Sequence, residues 1–409
     1  MAQQPLTQPD NPGGNATRRA PAILYTAAAC YISALGMAQV LIPLYALHLG
    51  YDVGQLGLIV GSQAIFGILL RIFGGAMSDQ LGERTILWAG FSFMIVASLV
   101  FALSGTFWAL ILAQFCMGIS RASYWTSSQS YASRLSQGRI GEALGRVNAF
   151  GNIGQILGTF IGGVMAGTIG YGFAFTTGAG LATVGLLVTL GLPTLPRKVV
   201  TRHWKNSLAP LPRFFKHRGM AMAAYAAFFG SSAMALGQVL LIPYFEEIGF
   251  SEALNGSLRT VLMVGAVATG MMLGQAIAWA GEKRLYVISY GFMGVTLLLV
   301  PFASNILLVL FPLMLCHGMT YGILGAIHAV TTSTQSAPEE RGMAMAYSGT
   351  YWSSAQFIFP AGFGFLAQGI GLTTGFWLAG GMFIGVALVA LVLYNRLIER
   401  PAAAAGAGA

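Results

Sequence analysis

Gly75-Ala-Met-Ser-Asp79-Gln-Leu-Gly82-Glu-Arg84 is a polar stretch between two long apolar runs, residues 54–77 and 85–104. A polar segment of this kind connects two elements, with Gly82 permitting a tight turn. The same arrangement returns 199 residues later. Gly75, Gly82, Glu83 and Arg84 correspond to Gly274, Gly281, Glu282 and Lys283. Gly50 likewise recurs as Gly249. Ile42-Pro43 recurs as Ile242-Pro243, and Cys116 and Gly118 as Cys316 and Gly318, 200 residues on. A near-constant offset over half the chain implies two copies of one helical unit, related by an axis along the membrane normal.

Working outward, twelve apolar segments have membrane-spanning length, about 20 residues each. They lie near 22–48, 54–77, 85–104, 107–132, 142–167, 171–192, 220–247, 253–279, 285–303, 306–334, 343–368 and 372–395. Of the 409 residues, 56% are hydrophobic and 8% charged. A soluble domain carries about 25% charged residues. This composition excludes a soluble enzyme, a disordered chain and a secreted disulfide scaffold. The 55 glycines fit closely packed membrane helices. The expected fold is an all-α membrane protein, with twelve transmembrane helices in two pseudo-symmetric six-helix bundles. Residues 21–192 and 220–398 form the bundles, and 193–219 is a basic cytoplasmic linker. That linker is expected to carry an interfacial helix around Trp204 and Phe214-Phe215. Residues 1–20 and 399–409 are expected to be disordered tails.

Eighteen of the 21 Lys and Arg residues fall on one side of these spans. By the positive-inside rule both termini are cytoplasmic. The net charge of +9 is thus a topology signal; no nucleic-acid partner is expected. The three cysteines lie in apolar runs without metal or disulfide spacing. No metal and no cofactor are expected, and no HExxH, GxSxG or P-loop marks an enzyme or a primary pump.

The decapeptide resembles the signature loop of the major facilitator superfamily, Gly-x-x-x-Asp-Arg/Lys-x-Gly-Arg/Lys-Arg/Lys. Gly75, Asp79, Gly82 and Arg84 match it; Gln80 and Glu83 depart. The resemblance implies the major facilitator fold and a cytoplasmic clamp formed by Gly75, Asp79, Gly82 and Arg84, with Arg71 two turns earlier. In the fifth span, Gly145, Gly154, Gly158, Gly162 and Gly163 resemble the signature of the drug/proton antiporter branch, with Thr159 where Pro is usual. These glycines suit close helix packing. In the fourth span that branch usually has Arg four residues before Gly118, and here the position is Gln114.

Helical periodicity places Gln114, Gly118, Arg121, Trp125 and Ser128 on one face of the fourth span. Arg121 lies near the bilayer midplane, where a cation costs at least about 2.5 kcal/mol and calls for a cavity or a partner. Asn148, Asn152 and Gln155 form a polar stripe on the fifth span. His317, Tyr321 and His328 share a face of the tenth, and either His could titrate near neutral pH. Trp352 and Gln356 stand at i,i+4 on the eleventh. Arg259 lies two turns below the outer end of the eighth, as gate or cavity residue. Glu246 and Glu247 end the seventh within reach of it. Substrate or cavity candidates are thus Gln114, Arg121, Trp125, Asn148, Asn152, Gln155, Tyr321, Trp352 and Gln356. Proton-coupling candidates are His317, His328, Glu246 and Glu247.

The resemblance implies a monomeric secondary transporter of a bacterial inner membrane. It would move a small organic compound by alternating access, as a proton-linked exporter. Arginines without a deep carboxylate favour an alternative, an importer or uniporter of an organic anion or metabolite. A membrane sensor or membrane enzyme is a third class.

Overall fold

The computed structural model describes residues 14–135, 140–195, 211–337 and 340–399, without the side chains of 14–18, 69–81, 140–141, 211 and 399. Trp204 and the tail 400–409 lie outside these residues. The described residues are helical, with no strand among them. The first half contains α1 (Gly14–His48), α2 (Val53–Leu81), α3 (Glu83–Leu103), α4 (Phe107–Leu135), α5 (Ile140–Thr168) and α6 (Tyr171–Thr189). A short helix follows, α7 (Leu211–Lys216). The second half runs through α8 (Arg218–Leu236), a π turn (Gly237–Leu241), α9 (Ile242–Glu247), α10 (Glu252–Met271), α11 (Leu273–Ala303), α12 (Leu307–Thr334), α13 (Arg341–Ile370) and α14 (Leu372–Tyr394).

Each expected apolar segment falls on helix. Among the described residues, eight helices are long and apolar enough to cross a membrane. α2, α4, α10 and α13 are not among the eight; α4 and α10 carry Arg121 and Arg259. Two boundaries differ from expectation. α1 starts at Gly14, inside the stretch expected to be a tail, because Asn15-Ala-Thr-Arg-Arg19 adds helical turns ahead of the apolar run. The other is an unexpected break at Met272, between α10 and α11; the break expected between the eighth and ninth spans falls where expected, at Gly281 (φ 76°, ψ 153°).

The repeat is visible in the backbone. Among the described residues six glycines have positive φ, and they form three pairs: Gly50 with Gly249, Gly82 with Gly281, and Gly170 with Gly371. Gly82, Gly170, Gly281 and Gly371 have ψ between 144° and 162°. That region is essentially closed to residues with a Cβ. Packing repeats as well. Gly118 lets α4 rest on the backbone of Gln63 in α2, and Gly318 lets α12 rest on the backbone of Leu262 in α10. At the start of α3, Glu83 accepts hydrogen bonds from Ser130 (3.1 Å) and Arg134 (2.6 Å) of α4. At the equivalent turn, Glu282 accepts from Thr331 of α12 (3.1 Å).

Each half has its own apolar core. Tyr31, Phe91, Phe101 and Phe175 anchor the first, and Tyr286, Tyr290, Phe376 and Phe383 the second. Tyr31 stacks on Tyr124 (3.7 Å between ring centroids, 7° between planes) and meets Phe91 edge-on. In α7, Phe214 is buried against Tyr347 while Phe215 stays exposed. This short helix thus lies against α13.

Candidate functional site

The two halves meet along α2 with α13 and α5 with α10. Glycines set how close they come. Gly54 and Gly57 press on Phe365, Gln368 and the Pro360 carbonyl. Further along α2, a methyl on Gly61 would lie 3.1 Å from the Phe357 carbonyl, and one on Gly67 3.4 Å from Ser353 Oγ. The seam therefore loosens away from His48 and Val53. On the other side, a methyl on Gly163 would come within 2.6 Å of the Gly256 Cα. At the opposite end of α5, Gly145 has nothing within 4 Å. Among the described residues, the halves are closed at the end far from the chain termini.

The glycines expected to pack α5 therefore divide. Gly154, Gly158 and Gly162 lie against Ala29, Ser33 and Met37 of α1. Gly163 crosses to the second half. Gly145 faces open space, while Val147 and Leu144 on another face of α5 pack into the first core. Thr159 turns its hydroxyl inward, donating to the Gln155 carbonyl (2.8 Å).

Below the closed seam lies a polar centre. Arg121 donates from Nη1 to Gln63 Oε1 (2.8 Å). Gly118, one turn earlier, makes this possible by seating α4 on Gln63. Tyr321 occupies the position 200 residues after Arg121, so the repeat sets the two on matching turns of α4 and α12. Tyr321 interacts electrostatically with both Arg121 and Arg259. Arg259 is 5% exposed, and its Nε and Nη2 have no hydrogen-bond partner. Its Nη1 lies beside Gly237, where a methyl would come within 3.0 Å. One turn nearer the closed end, Asn255 is 2% exposed, with neither side-chain polar atom paired. His317 is buried and shares a hydrogen bond with Thr296 of α11 (2.9 Å), also within range of Arg259. Gln114 is buried with an unpaired Oε1.

The other candidates form separate groups. Gln155 donates to Gln39 of α1 (2.9 Å). Asn148 is exposed and Asn152 half-buried, both nearer the termini end. Trp125 is 39% exposed and meets Tyr124 edge-on. His328 stacks on Trp352 (4.6 Å, 27°), and Gln356 reaches Met234 Sδ (3.5 Å).

At the closed end, Glu252 accepts from Tyr171 Oη (3.4 Å), and the Tyr171 ring lies 4.9 Å from that of His48. Glu246 interacts electrostatically with Glu252 and His48, and its Oε2 is buried and unpaired. Glu246 thus faces this cluster, and Glu247 is exposed at the helix end. Among the described residues Arg259 forms no ion pair, contrary to the expected pairing with these two acids. It points into the interior beside the π turn.

Arg71, Gly75 and Asp79 lie outside the residues whose side chains are described. Arg84 donates to the Leu190 carbonyl (2.7 Å) and lies over the Trp88 ring (4.5 Å). It ties α3 to the end of α6 within one half. Gly82 provides the positive-φ turn. Gln63, Gln39, Asn255 and Glu252 were not anticipated as site residues. The signal for the first two is a single Gln inside an otherwise apolar run. For Asn255 it is the i,i+4 spacing to Arg259.

The chain is similar to the Quinolone resistance protein NorA of Staphylococcus aureus (strain Mu50 / ATCC 700699), 27% identical over 168 residues. That match spans 41% of this chain and 43% of the relative, under half of its length. It is 23% identical over 279 residues to a Probable sugar efflux transporter of Haemophilus influenzae (strain 86-028NP), 67% of each. Among solved structures, the nucleoside transporter NupG superimposes with a TM-score of 0.77 at 13% identity, over 93% of this chain and 99% of that one. A D-xylose-proton symporter gives 0.72 at 17%, over 91% and 96%. These likenesses bear out the fold. The family model described as Major Facilitator Superfamily matches residues 24–278 and 230–409. With two like halves closing over a polar centre, the chain is an integral membrane protein and belongs to the Major Facilitator Superfamily.

Proposed function

We propose that this chain is a monomeric, proton-linked exporter of small organic compounds in a bacterial inner membrane. Both termini lie in the cytoplasm, where the cationic loops gather. The halves are then closed at the outer face and open towards the cytoplasm, the state that would load an export substrate. The observation that carries the export direction is the pair of relatives whose names specify resistance and efflux. The α5 glycine ladder against α1 supports it. Arg121, fixed by Gln63, and Tyr321 face the substrate from the two halves. Trp125, Asn152, Trp352 and Gln356 shape the wall. The outer cluster of Glu246, Glu252, His48 and Tyr171 carries the proton, since its two carboxylates belong to the second half and His48 and Tyr171 to the first, and the halves must separate when the outer face opens.

The test is transport in everted membrane vesicles with an acid interior. Accumulation of organic compounds that collapses with a protonophore supports the proposal. Uptake confined to right-side-out vesicles would replace it with import. A second reading, movement of an organic anion in either direction, is favoured by the buried Arg259 and the half-buried Arg121, neither of which has a carboxylate partner among the described residues.

A further inference from the structure

We infer that the substrate carries an acidic group, and that Arg259, with Asn255 beside it, holds that group. This rests on the transporter reading and adds the charge of the cargo and its anchor. Buried cations are costly, several kcal/mol each even after relaxation, unless they are paired. The first of the two central arginines has its donor answered by Gln63. Arg259 has no such answer: Nε and Nη2 are sealed from solvent with nothing to bond. Asn255, on the same face of α10, leaves its amide donor equally idle.

No carboxylate of the chain meets this need among the described residues. On the same helix, the nearest acid is Glu252, seven residues away or about 10 Å by rise, and it accepts from Tyr171. His317 is held by Thr296 and offers no negative charge. Tyr321, in electrostatic range of both arginines, is a neutral phenol and offers no negative charge. A planar acid bound by Arg259 accepts two parallel hydrogen bonds from its fork, and Asn255 Nδ2 supplies a third donor. The half-buried rings of Tyr321 and Trp352 suit a cargo with an aromatic body. The occupant is an aromatic monoanion.

Thermal stability of the purified, full-length protein tests this with three matched probes: 1-naphthoate, its methyl ester, and 1-naphthylmethylamine. Binding to the folded state raises Tm. The carboxylate is expected to stabilise the wild type, and the ester and amine are not. Arg259→Gln should weaken naphthoate about tenfold or more, the cost of charge-assisted hydrogen bonds. Arg259→Lys should recover part of it. Without ligand, Arg259→Gln should melt at the same or a higher temperature, because it removes an unpaired buried charge. A fall in the ligand-free Tm of Arg259→Gln, with no recovery of binding in Arg259→Lys, would mean a structural arginine and overturn the inference. So would stabilisation by the amine or ester that survives Arg259→Gln. Vesicle transport separates the two readings. If neutral or cationic compounds are exported and Arg259→Gln still exports them, the anion site falls and the exporter stands. If naphthoate binds through Arg259 but no compound moves, the exporter falls and the anion site stands.

Discussion

At the scale of single residues, glycines and one ion pair give the clearest expectations. Gly158 lies against the backbone of Ser33, which cannot step aside as a side chain can. Gly158→Val should therefore destabilise by about 1–3 kcal/mol, as overpacking does. Gly145→Ala, into open space, should gain up to about 1 kcal/mol from helix propensity. Chemical denaturation in detergent compares the two. Glu83 was legible in sequence only as a departure from a basic motif position. Its structural meaning is the 2.6 Å pair with Arg134, at side-chain exposures of 9% and 17%. Glu83→Gln leaves the guanidinium without its acid and should cost about 3 kcal/mol. Arg134→Gln in the same chain should restore part of that, and a double-mutant cycle measures the coupling. The pairing was not readable beforehand. A spacing of 51 residues across a helical hairpin leaves no local pattern.

At the scale of elements, sequence periodicity located the helices well because a membrane imposes length and polarity together. α4 and α10 escape the apolarity criterion for the reason that makes them interesting: they carry interior arginines. The faces were less legible. His317, Tyr321 and His328 lie within a narrow arc of α12, yet they have different surroundings. His317 bonds to α11, Tyr321 faces the central arginines, and His328 stacks on α13. An arc predicts which way a residue points and says nothing about which helix stands there. The paired glycine turns give a prediction at this scale. Gly82→Ala and Gly281→Ala should each cost about 1–3 kcal/mol, since both turns occupy backbone space closed to alanine. Comparable losses of Tm in the two variants would show that the turns work alike in both halves. An innocuous Gly281→Ala would contradict the backbone described for α11.

At the scale of the molecule, the repeat carried the most information. It announced two like units, and on the proposed function the substrate region falls between them. It could not say which end is closed. That depends on contacts between α2 and α13 and between α5 and α10, elements far apart in the chain. Closure at the far end rests on glycine against glycine at Gly163 and Gly256. Gly163→Trp should wedge this seam open. The expected outcome is loss of transport. A cysteine introduced at Asn255 should then react with a membrane-impermeant maleimide added from that side, but stay protected when Gly163 is retained.

The π turn at Gly237–Leu241 has a mechanical meaning. A π turn holds one residue more than the α turn it replaces. Regularising it would swivel everything beyond by about 100° and shift it by about 1.5 Å along the axis. Its first residue, Gly237, touches Arg259, and the helix beyond it ends in Glu246 and Glu247. One rod thus joins the surroundings of Arg259 to the acids at the closed end, with a built-in winding defect between them. Filling the wall and turning the acids would be a single torsional event.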